Sequence, residues 1–172
     1  TKPIDETKAQ NTVTKNEDDL ENAYTNGRAS ISSAMSRMAN VLVALDDQFN
    51  CNTGYLTSCG YGQSNTQKEY RERAESSWWK ADKLLNELSK KYRTITLTST
   101  PKEIEDVMED ARETAIAVAD TARYTQDAVV YFRDRDDSED TTDADESYAV
   151  VTAQTSAANT ILSDINSSYT TI

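Results

Sequence analysis

PKEIEDVMEDARETAIAVADTARYTQDAVVYFR, residues 101–133, decides the fold. Its apolar and small residues fall at Ile104, Met108, Ala111, Ala115, Val118, Ala122, Thr125, Val129 and Phe132, in alternating steps of four and three. That 3.5-residue period, kept over several heptads, holds one stripe of an α-helix against partner helices. The start is equally clear: Thr100 suits the N-cap, Pro101 the first helical position, and Glu103 completes a capping box.

The same step recurs three times. It runs through Leu20, Tyr24, Gly27, Ile31, Ala34, Met38, Val41 and Leu45, then through Tyr70, Ala74, Ser77, Ala81, Leu84 and Leu88. The last series is Ala144, Tyr148, Val151, Thr155, Ala158, Leu162, Ile165, Tyr169 and Ile172. Four such segments joined by short breaks predict an all-α, antiparallel up-down-up-down four-helix bundle. Residues 1–13 read as a polar tail or helical extension, and 14–172 as one bundle domain. Helix 1 is expected from the Thr14-x-x-Glu17 box to about Phe49, and helix 2 from the Thr66-x-x-Glu69 box to about Tyr92. Residues 94–100, TITLTST, read as an extended connection, because a lone strand would have no partner. Helix 3 should end near Arg133, and helix 4 should run from about Asp143 to the end.

In that topology the break carrying Cys51 and Cys59 lies at the same end as the acidic connection 134–146. That connection holds eight carboxylates in thirteen residues. Seven residues separate the two cysteines, in a polar stretch with Gly54, so a disulfide-closed loop and an oxidising, extracytoplasmic location are expected. A zinc site lacks ligands, since the chain has no histidine and no third cysteine. Within the loop, Tyr55, Leu56 and Tyr61 are candidate contact residues, because tyrosines on a constrained loop offer area at small entropic cost. The competing reading is that they pack on the end of the bundle. Asp134, Asp136 and Asp140 are spaced like the start of a calcium loop, yet Glu139 stands where such a loop needs glycine. Asp145 stands where it needs a bidentate glutamate, so a solvated acidic loop is the simpler reading.

Trp78 and Trp79 are neighbours on helix 2, about 100° apart, so both cannot face the core. Trp79 should be the outer one and a candidate interface anchor. Gly27, on the helix-1 stripe, predicts a close approach or a bend.

A net charge of −12 over 172 residues disfavours nucleic acid and anionic lipid as partners. Without histidine the usual general base near neutral pH is missing, so no catalysis and no cofactor are expected. No run approaches the length of a membrane span. The chain opens at Thr1 without methionine, and Ile172 is still in phase. Continuation outside this fragment, into a membrane anchor, is therefore expected.

GQSNTQKEYRERAESSWWKADKLLNELSKKY (62–92), followed by Pro101 at the start of helix 3, resembles the second helix and following turn of bacterial chemoreceptor four-helix ectodomains. The resemblance covers about a fifth of the chain. It implies a ligand-sensing ectodomain of a transmembrane receptor or sensor kinase, and a homodimer. In that family ligand arginines lie at the dimer interface; Arg28 and Arg37 lie on helix 1 here, and no motif carries that role onto them. The composition itself favours an interaction or display module whose disulfide-bearing end meets a protein partner, a cationic one given the acidic flank.

Overall fold

The computed structural model describes residues 2–50, 54–56, 64–96, 99–135 and 142–169, with side chains from Thr7. Among them are four α-helices and no strand: α1 (Lys2–Asp46), α2 (Asn65–Tyr92), α3 (Pro101–Arg133) and α4 (Thr142–Tyr169). A short 310 turn, Asp47–Phe49, ends the first helix.

The helix starts show which local signals the chain uses. At α3 the expected box forms: Glu103 N–H donates to Thr100 Oγ1 at 3.3 Å, and Thr100 N–H donates to Glu103 Oε2 at 2.7 Å. At α2 the box sits two residues before the expected one, with Ser64 as cap and Gln67 reaching back at 2.8 Å. Thr66 and Glu69 are therefore inside the helix. Thr14 and Glu17 are inside α1, which begins at Lys2. Pro3 fits a first turn, and Glu6, Lys8, Ala9, Gln10 and Lys15 are good helix formers, so nothing in residues 2–13 stops the helix.

Tertiary pairs order the helices. Along α2 and α3 the partners run in opposite directions: the Tyr70 ring stacks on Tyr131 at 4.4 Å, Ser77 bonds Thr121 at 2.9 Å, and Lys91 pairs with Asp110. The same reversal holds for α3 and α4, from Gln126 with Thr152 to Arg112 with Asn166. On α1 and α4, Arg37 meets Asp164 at 2.6 Å while Ser30 meets Ser168 at 3.1 Å.

Helix α3 packs against α1, α2 and α4. Its buried face is accordingly wider than the heptad stripe. Met108, Ala115, Val118, Ala122 and Val129 are buried as expected, and Val107, Thr114, Ala117, Thr121 and Ala128 join them. The buried threonine hydroxyls stay satisfied by donating to carbonyls one turn back: Thr114 to Asp110 at 2.7 Å, Thr121 to Ala117 at 2.8 Å, and Thr125 to Thr121 at 2.8 Å.

Among the described members of the predicted stripes two are exposed rather than core, and Ile172 lies outside the described residues. Leu20 on α1 and Tyr169 on α4 are both exposed. Tyr24 donates to Glu105 at 3.1 Å, so α3, which begins four residues before Glu105, starts about level with Leu20. From Thr7 to Asn22 every residue of α1 is exposed, whereas Gly27 onward packs into the body.

Candidate interaction surface

The connection after α1 folds back on itself. Gly54 N–H donates to Asn50 O at 2.7 Å, and Leu56 N–H donates to Gln48 O at 2.8 Å. A Cβ on Gly54 would lie 2.4 Å from Gln48 O, so only glycine fits this turn. The turn drives Leu56 into the core, where it is fully buried. Leu56 is therefore a core residue and offers no exposed contact; burying a leucine outweighs leaving it on a tip. Tyr55 is half-buried, its ring edge-on to Phe132 at 6.3 Å. Of the other residues singled out at this end, Cys51, Cys59, Tyr61, Asp136 and Asp140 lie outside the described residues. Asp134 caps the C-terminus of α3, its N–H donating to Val130 O at 3.0 Å.

The tryptophan pair divides as the helical geometry requires. Trp78 is half-buried, and its indole N–H donates to Leu42 O on α1 at 2.8 Å. Trp79 stands outside, 62% exposed, edge-on to Trp78 with ring centroids 4.9 Å apart. The inner indole is pinned to α1 and supports the outer one, so Trp79 is an apolar face on a fixed mount. Directly after Leu42 comes Val43, 65% exposed.

Charge around this seam is uneven. Asp46 is held above the usual carboxylate range, first by desolvation and then by the neighbouring charges of Asp47 and Asp82. Elsewhere several arginines lie over aromatic rings. Arg73 lies 3.9 Å over the Tyr124 ring, Arg135 lies 3.8 Å over Tyr131, and Arg133 lies 4.2 Å over Tyr148.

The two arginines on α1 also have local tasks. Arg37 pairs with Asp164. Arg28 donates to Ile95 O at 3.4 Å and receives the Tyr92 hydroxyl on its own carbonyl at 3.2 Å. Arg28 borders a cleft of about 410 Å³ with Leu20, Tyr24 and Pro101, where α1 leaves the body. Desolvation, followed by its bond to Glu105, pushes the Tyr24 phenol up. Glu17 and Glu21 also line this cleft, so its charge is mixed rather than that of an anion receptor.

No cluster of three potential metal-binding side chains occurs among the described residues, and no helix there is long and apolar enough to cross a membrane. No protein-family model, no curated protein and no solved structure matches this chain, so its own geometry carries the functional argument.

Proposed function

We propose that this chain is a non-catalytic, extracytoplasmic helical-bundle module for protein interaction or display. Its architecture is an antiparallel up-down-up-down bundle preceded by a helical extension, with a Cys51–Cys59 disulfide closing the loop between helices 1 and 2. The reversed order of the tertiary pairs supports that topology. One observation carries the interaction role: an indole left largely exposed on Trp79 yet seated on a partner that is itself bonded to the next helix. Solvated side chains gain nothing from such a mount, whereas a binding anchor does, since less freedom is lost on association.

The disulfide-bearing end remains the second part of the contact, now through Tyr55 and Tyr61 without Leu56. Its acidic flank of Asp136, Asp137 and Asp140 favours a cationic partner and an association that weakens with salt. Mass analysis of the unreduced protein should find Cys51 and Cys59 two hydrogens short of free thiols. Reduction should lower stability by at most about 2–3 kcal/mol, because the loop is short. Free thiols in protein isolated from its host would remove the basis for the extracytoplasmic location.

A second reading, the ligand-sensing ectodomain of a chemoreceptor or sensor kinase, draws on the exposed first half of α1. Two such helices side by side would form a receptor-type homodimer. Sedimentation showing a dimer that is lost on deletion of residues 2–22 would favour it over the display module.

A further inference from the structure

Val43 and Trp79 have the largest exposed fractions among the large hydrophobic side chains of the described residues, and they border one seam. The hydrogen bond from Trp78 to Leu42 O brings α1 and α2 together there, and each exposed residue directly follows one member of that bond. Asp46 lies one helical turn beyond Leu42, and Asp82 one turn beyond Trp78. They flank that bond on opposite sides, since the Trp78–Leu42 and Tyr92–Arg28 bonds have α1 and α2 running in opposite directions. Desolvation first, and then the charges of Asp47 and Asp82, push the Asp46 carboxyl up. Among the described residues no lysine or arginine forms an ion pair with Asp46, Asp47 or Asp82; Asp82 accepts a bond from Asn86 at 3.0 Å. Of the nearby cations, Arg71 turns to Glu75 at 3.3 Å and Lys83 to Glu87 at 4.0 Å, while the exposed Lys80 beside Trp79 forms no ion pair with these three aspartates.

We infer that this rim is a docking surface for a cationic segment of a partner protein. Trp79 and Val43 would cover its aliphatic stems, and Asp46, Asp47 and Asp82 would receive its lysine or arginine heads. The inference rests on the interaction-module reading but is independent of the disulfide-bearing end. Three like charges without a cation are mutually repulsive, and a cationic occupant relieves that repulsion. Long basic side chains match a surface that is apolar on one side and anionic on the other. An exposed indole face beside carboxylates also suits a guanidinium, which stacks and bonds at once. A second copy of this chain is a poorer occupant, because two like-charged rims would meet.

The test is a titration of the whole chain with a pentaarginine peptide, followed by amide and indole nuclear magnetic resonance, with pentaglutamate as control. Pentaarginine should move the Trp79 indole signal and the amides of Val43, Asp46 and Asp82, and pentaglutamate should leave them in place. Trp79→Ala should weaken binding by about tenfold, the size expected of an anchor. The double variant Asp46→Asn, Asp82→Asn should weaken it comparably, which guards against an effect of Trp79→Ala on folding. Equal binding by these variants would overturn the inference by reducing the effect to general attraction to an acidic protein. Shifts confined to Tyr55 and Tyr61 would overturn the rim while preserving the disulfide-bearing end as the contact. Concentration-dependent shifts of the Trp79 signal without peptide would overturn it in favour of self-association.

Discussion

The two halves of α1 belong to one unbroken helix and one apolar step, yet they have opposite fates. Ile31, Ala34, Met38, Val41 and Leu45 are buried, while Leu20, in the same phase, is 46% exposed. The difference is not in the helix. Beside the second half lie α2, α3 and α4; beside the first half no described helix reaches past about Leu20. Periodicity names the face a helix would bury, and only neighbours decide whether it is buried. A helix without neighbours also lacks the packing that supplies most helical stability.

Truncations on the two halves should separate most widely. Met38 is 0% exposed, so Met38→Ala should destabilise the protein by about 2–5 kcal/mol in denaturant unfolding. Leu20→Ala should stay within about 0.5 kcal/mol. Equal losses would mean that Leu20 has a partner in solution.

A smaller effect is expected from overfilling. Ala122 is buried on α3, the helix that meets all three others, so Ala122→Leu should cost about 1–3 kcal/mol. The same enlargement at Ala9 on the exposed half, Ala9→Leu, should be near neutral. A neutral Ala122→Leu would show that the contact around α3 is looser than its burial implies.

The smallest effect lies where the buried half ends. Asp46 has its folded pKa raised, so the folded state holds its proton more tightly than the unfolded chain does. Stability from this group is therefore greatest in acid and falls as pH rises from the unfolded value through the folded one. Asp46→Asn should raise the melting temperature slightly at neutral pH, and the gain should vanish as pH falls through the ordinary carboxylate range. A gain unchanged in acid would show that it does not come from charge.

Much of the site argument was legible in residues 78 and 79, because adjacent helical positions diverge by about 100° and only one indole can turn inward. The Trp78 bond to Leu42 O was not legible, since a carbonyl on another helix has no signature in sequence. Leu56 misled for a related reason: a leucine among polar loop residues reads as a tip, and its burial depends on the Gly54 turn against Gln48.

What the sequence alone determined is the all-helical class, the α3 cap at Thr100 and Glu103, and the inward phase of each helix, all set by interactions within one or two turns. The tertiary structure decided the rest. It widened the buried face of α3 to include Thr114 and Thr121, left the first half of α1 uncovered, and set Val43 and Trp79 along one seam. Each of these depends on which helix lies alongside, a long-range relation that a local repeat does not encode.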